Sequence, residues 1–136
     1  MSTIKVTNIK HDSSATNTLV LGSDGRVTVT GAIGAISAVT SSSGTLTLNL
    51  ATGNNFSITL SETTTIANPS NMTAGQSGVL FITQDSTART VSFGSYWDFE
   101  NGAAPSVSTG SGAVDALVFT VRSSTSITAA LIKNFS

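Results

Sequence analysis

The single histidine of this chain, His11, sits beside Asp12 in the polar run Lys10-His11-Asp12-Ser13-Ser14. A Ser-His-Asp mechanism needs all three groups to converge beside an oxyanion hole. With 22 serines present, a serine somewhere nearby is guaranteed by chance, so His11 reads as a solvent-exposed loop residue. Seven carboxylates are spread along the chain, and the closest pair is Asp98 and Glu100, next to Trp97. Paired acids beside an aromatic ring are a glycosidase-like arrangement. Acids two apart in a loop with Gly102 and Pro105 are more often a solvated turn. Asp85-Ser86-Thr87 lacks further acids at Ca²⁺-loop positions. No Gly-Lys dipeptide ends a glycine-rich loop, so no phosphate cradle is expected. The three sequons at Asn55, Asn71 and Asn134 are read as coincidence. No catalytic, cofactor-binding or metal-ligating residue is assigned, and the chain is not expected to be an enzyme.

Tyr96-Trp97, inside Phe93-Gly94-Ser95-Tyr96-Trp97-Asp98-Phe99, is the most distinctive local composition. Three readings apply: core packing, a subunit interface, or a platform for carbohydrate. Aromatics are enriched at interfaces, although core packing is their commoner use.

Composition indicates what must position such residues. Charged residues are 10% of the 136, net charge is −1, and there is no cysteine. Thiol chemistry and disulfides are therefore excluded. Without a basic patch, nucleic-acid binding lacks its electrostatic footprint. No apolar run approaches a membrane span, and Met1-Ser2-Thr3-Ile4-Lys5 does not lead into a signal-peptide pattern. Polarity comes from serine and threonine. Thr outside and Val, Ile and Leu inside suits a pleated surface better than a helix.

Along the chain, Leu19–Leu21 and Arg26–Thr30 flank Asp24-Gly25 as strand, tight turn and strand. Residues 31–44 are Gly-, Ala- and Ser-rich; within them 35–39 is either a short strand or a buried small-residue segment. Thr45–Leu50 and Asn55–Leu60 both alternate strictly, which predicts an antiparallel hairpin with Leu46, Leu48 and Leu50 facing Phe56, Ile58 and Leu60 inward. Gly78–Gln84 is apolar on both faces and predicts a central strand covered on both sides, returning through 89–93. Ala116–Arg122 predicts a second central strand, turning at 123–125 into Ser126–Ile132. No repeat of solenoid type is visible. The expected fold is all-β: an antiparallel β-sandwich or jelly-roll-like body over 45–136, preceded by an extended N-terminal β-arm and hairpin over 1–44.

Two sets of segments carry a resemblance. Residues 1–9, with Leu19-Val20-Leu21-Gly22-Ser23-Asp24-Gly25-Arg26-Val27-Thr28-Val29, resemble the N-terminal segments of tailed-phage virion proteins of marine and cyanobacterial type. Asn55–Leu60, Ala67–Asn71, Thr73–Gly78, Ile82–Asp85, Phe93–Phe99 and Asp115–Leu117 are similar to β-domains of phage fibre and structural proteins. The resemblance implies a β-rich homotrimer with no cofactor, made in the host bacterial cytoplasm and ending in the virion, with the major capsid protein or other virion proteins as partners. Within that class, an arm plus a compact body suits a capsid decoration or cement protein. Its arm would add a strand to a neighbour, with Ile4, Val6, Ile9, Tyr96 and Trp97 as the expected interface. The alternative is a tail fibre or spike component that contacts the host surface, although 136 residues leave no room for a long shaft.

Overall fold

The computed structural model describes residues 34–135. Ile4, Val6, Ile9, His11 and the expected 19–30 hairpin lie outside them. The regular structure of the described residues is almost all strand: β1 (Ile36–Ala38), β2 (Thr45–Leu46), β3 (Asn55–Leu60), β4 (Thr64–Ile66), β5 (Ser77–Gln84), β6 (Val91–Phe93), β7 (Trp97–Asp98), β8 (Val114–Ser123) and β9 (Ser126–Ile132). One 3-10 turn, Glu100–Gly102, interrupts them. Two sheets result, one of six strands in the order β1-β3-β5-β8-β9-β7 and one of three in the order β2-β4-β6. The all-β expectation therefore holds.

Alternation identified the buried faces. Leu46, Leu48 and Leu50 are buried, as are Phe56, Ile58 and Leu60. It did not identify the strand partners. The expected hairpin between 45–50 and 55–60 is absent: β2 pairs in parallel with β4, and β3 pairs in parallel with β1 and β5. Nor does 89–93 return onto 78–84, because β6 lies parallel to β4 in the smaller sheet. The chain instead winds in three successive coils, β1–β2, β3–β4 and β5–β6. Each is laid in register on the one before: Ile36 is opposite Asn55, and Asn55 is opposite Val79. This is a short solenoid winding where no repeat was visible. Within 35–39, Ile36–Ala38 is strand, forming β1 at the edge of the six-stranded sheet.

The corners of the coils account for the parallel pairing. Only Ser61, Glu62 and Thr63 separate β3 from β4, and there the chain passes from one sheet to the other rather than reversing. Glu62 ties this corner to its neighbours. Its Oε1 accepts the Ser41 hydroxyl at 2.7 Å. That bond, then the Gly44 backbone N–H, hold its carboxyl below the usual range, with Arg89 of the following coil adding to them. Arg89 pairs in turn with Asp85 at 3.0 Å. Among the described residues, antiparallel strand pairing, apart from an isolated bridge between Ser42 and Thr45, is confined to β5·β8 and β8·β9. The latter pair is the hairpin that the sequence placed, joined through Ser124-Thr125.

One apolar core serves both sheets. Leu46 and Ile66 come from the smaller sheet; Phe56, Leu80, Leu117 and Ile127 come from the larger. Burying a side chain of this size contributes roughly 1.5–3 kcal/mol, so the core outweighs the exposed ion pairs. Gly78 is required by packing: a Cβ there would overlap the carbonyl of Asn54 and press on the Phe119 ring.

Candidate interaction surface

Trp97 belongs to this core. It is 6% exposed, its indole N–H donates to the Ala67 carbonyl at 3.1 Å, and Phe93 and Phe119 meet it edge to face. A ring enclosed in this way has no free face for a sugar, and of the three readings of Tyr96-Trp97 the core one describes Trp97. Tyr96 is half-buried; its backbone N–H is taken by Asn68 Oδ1 at 2.9 Å.

The acids beside Trp97 do not build a two-carboxylate site. Asp98 accepts the Ser126 hydroxyl at 2.6 Å and lies 3.8 Å from Arg122 on an exposed strand. Glu100 is exposed in the 3-10 turn. Among the described residues no group of three or more His, Cys, Asp or Glu is placed to hold a metal, and no helix is long and apolar enough to cross a membrane.

Two polar side chains of the interior were not singled out in the sequence. Asp115 accepts the Ser108 N–H at 2.6 Å, the Ser108 hydroxyl at 2.7 Å and the Asn134 N–H at 2.8 Å. Gln84 donates to the carbonyls of Ser108 and Arg89 and accepts the Arg89 N–H. Every bond to these side chains comes from within the chain. They anchor the 103–113 loop and the C-terminal segment. Buried polar groups satisfied in this way specify a structure.

The outer face of the six-stranded sheet has a different character. Strand register lines up two adjacent rows of side chains across five strands. One row runs Ile36, Asn55, Val79, Val118, Ala130. The next runs Ala38, Ser57, Phe81, Ala116, Ile132. Eight of these ten positions are apolar and none is charged. Ile36, Val118 and Ile132, at 57%, 36% and 50% exposure, are three of the four large hydrophobics exposed among the described residues. The flanking positions are mostly hydroxyls, Thr59 and Thr83 beside Val114 on one side and the Ser77–Thr120 pair at 2.9 Å on the other, with Asp98 and Arg122 farther out. An apolar centre with a polar rim is the anatomy of a protein interface. The sequence signal was the two-faced apolar run in β5 and β8. That pattern predicts cover on both sides, whereas on the outer side Val118, Ala130 and Ile132 are exposed and only Ala116 is buried.

A second concavity, about 580 Å³, lies beside the turn before β5 and is lined by Leu50, Asn54, Asn71, Met72, Thr73 and Gln76. Gln76 braces it, donating to the Leu50 carbonyl at 2.7 Å and to Asn54 Oδ1 at 2.6 Å. Asn71, at φ 55°, donates to Asn49 Oδ1 at 2.8 Å. Its lining is neutral, of amides, a hydroxyl and apolar side chains.

No protein-family model, curated protein or solved structure matches this chain.

Proposed function

We propose that the chain is a non-catalytic structural protein of a phage particle, a decoration or cement protein that binds the outer capsid shell and bridges its subunits. The observation that carries this reading is the uncharged apolar face across five strands of the larger sheet. A monomeric protein rarely leaves a contiguous apolar patch of this kind unused. The virion assignment is supported by the resemblance of residues 1–9, 19–29 and the body segments to phage structural modules. On this reading the two-sheet, sandwich-like body assembles with its own copies, as a homotrimer, and the residues before β1 form an arm; the 36–38 part of the expected 1–44 arm belongs to the body's larger sheet. Ile4, Val6 and Ile9 supply the strand edge that a neighbouring capsid subunit pairs with. Function is then mechanical: burial across subunit boundaries lowers the free energy of the filled shell relative to the burst one. No cofactor takes part. Low charge favours short-range packing over salt-sensitive pairing.

The test is to compare particles with and without this protein for the temperature at which they release DNA. Depleted capsids burst at lower temperature under the cement reading. Unchanged burst temperature together with lost host adsorption overturns it in favour of a tail fibre or spike component.

That alternative has one observation of its own, the amide-lined basin. Neutral amide donors and acceptors over the apolar Met72 match the hydroxyls and apolar faces of an uncharged sugar. On this reading a glycan array shows binding that Thr73→Ala or Asn71→Ala abolishes.

A further inference from the structure

We infer that the open end of the winding is taken by residues 17–30, which lay a fourth coil of the same kind ahead of β1. Such a coil goes beyond the cement reading and narrows its arm to residues 1–16, where Ile4, Val6 and Ile9 lie.

The open end is a matter of topology. Among the described residues β1 pairs with no strand but β3, and β2 with none but β4. The first coil therefore ends both sheets on the same side. At the other end the chain leaves the winding through antiparallel β8 and β9. Two free strand edges side by side present unpaired N–H and C=O groups. The end coil of a winding needs a neighbour or a cap.

The register names the occupant. Ile36 lies opposite Asn55, so the first coil advances by 19 residues in the larger sheet. Nineteen residues back from that coil, 20–29 repeats the pattern of 39–48. Val20 matches Val39, Val27 matches Leu46 and Val29 matches Leu48, and these three partners pack in or against the core. Thr28 matches Thr47, which is exposed.

The corner matches as well. Ser42 and Thr45 exchange backbone hydrogen bonds of 2.9 and 3.1 Å around Ser43 and Gly44, which have φ 52° and 73°. Two central residues at positive φ make the turn that Asp-Gly favours. Asp24-Gly25 stands 19 residues before Ser43-Gly44. Its flanks then pass to different sheets, as those of Ser43-Gly44 do, and do not close a hairpin. The return run also has the right length: eight residues separate Leu46 from Asn55, and eight separate Val27 from Ile36. In this placement Leu19 lies opposite Ala38, and Val27 opposite Leu46.

Limited trypsin digestion of full-length wild type is the first test. The arm carries Lys5 and Lys10, and the coil carries Arg26. Each rate is taken relative to the same bond in the urea-unfolded chain. Cleavage after Arg26 is expected at least about tenfold slower than after Lys5 or Lys10, because a paired coil must open before it is cut. Gly25→Val, strained at positive φ, removes that protection while Arg122 in β8 stays uncut.

Cross-linking tests the register in a chain that has no cysteine of its own. Leu19→Cys with Ala38→Cys closes an intramolecular disulfide on mild oxidation, since paired strands lie about 4.8 Å apart. Leu19→Cys with Thr40→Cys, two residues out of register, closes at least about tenfold more slowly.

Equal relative cleavage after Arg26 and Lys10 in wild type overturns the fourth coil. Equal closure of the two cysteine pairs overturns it too, as does a disulfide that forms only between two copies. Particle burst temperature does not enter: a protected Arg26 with unchanged bursting sinks the cement reading and keeps the coil.

Discussion

Asp115 accepts two hydrogen bonds from one residue, Ser108, at 2.6 Å from its N–H and 2.7 Å from its hydroxyl. The carboxylate is 1% exposed and also takes the Asn134 N–H. Asp115→Ala therefore orphans three donors at the edge of the core. Each unsatisfied buried group costs about 1–3 kcal/mol, so the variant is expected to lose about 3–5 kcal/mol in urea unfolding. Ser108→Ala removes only the hydroxyl bond and is expected to lose about 1 kcal/mol. Hydrogen exchange at the Ser108 and Asn134 amides should accelerate in Asp115→Ala. Protection equal to wild type at both would show that the carboxylate does not hold these segments.

Gly78 separates a packing requirement from a conformational one. Its Cβ position is occupied by the Asn54 carbonyl oxygen, which is fixed by the Val79 N–H at 3.1 Å. Gly75 has φ +89° but open space around it. Gly78→Ala is expected to destabilise by about 3 kcal/mol or more, because backbone must move. Gly75→Ala meets only the penalty of a left-handed backbone, about 1 kcal/mol. Equal midpoints for the two variants in chemical denaturation would contradict the close approach of β5 to the turn before β3.

Legibility in the sequence follows the range of each signal. Period-two alternation is local, and it placed Leu46, Leu48, Leu50, Phe56, Ile58 and Leu60 in the core. Strand pairing is not local. The same alternation is compatible with a hairpin partner or with a strand one coil away, and here the partner is one coil away. The coils stayed hidden because they are unequal in length, advancing from 36 to 55 and then from 55 to 79, with no shared motif at the corners. The Ser124-Thr125 hairpin was legible because turn and pairing are contiguous. The interaction face was half legible. Apolar residues on both sides of β5 and β8 were visible, but burial by the chain and exposure for a partner write the same pattern. Asp115 could not be distinguished from a surface acid, because its three donors come from segments that only the fold brings together.

Trp97 makes a third prediction, on which the glycan question also turns. Trp97→Ala removes a ring packed between Phe93 and Phe119 and leaves the Ala67 carbonyl without its donor. The expected loss is about 3–5 kcal/mol. Trp97→Phe keeps an edge-to-face ring but drops the hydrogen bond, for about 1–2 kcal/mol. As the only tryptophan in the chain, Trp97 also reports unfolding of the wild type by its fluorescence. Full stability of Trp97→Ala by circular dichroism would return this ring to the surface readings. Loss of any glycan binding in that variant, accompanied by unfolding, would report on the core and not on a sugar platform.

The acid limb of stability should trace to the coil corners. Glu62 is held below its ordinary pKa of 4.5, first by the Ser41 hydroxyl and then by the Gly44 N–H. Asp85 is held below 3.8, first by Arg89 and then by the Thr87 N–H. A carboxyl whose pKa is lower folded than unfolded stabilises the folded state while ionised. That contribution is complete at neutral pH. It begins to fade as pH drops through the unfolded values and is gone below the folded ones. Melting temperature should therefore be level from about pH 8 to pH 5 and decline below about pH 4.5. Glu62→Gln should melt lower than wild type at pH 7 and converge on it toward pH 3, since protonation removes from the wild type what the substitution has already removed. A constant gap between the two curves across that range would mean that Glu62 acts through its shape and not through its charge.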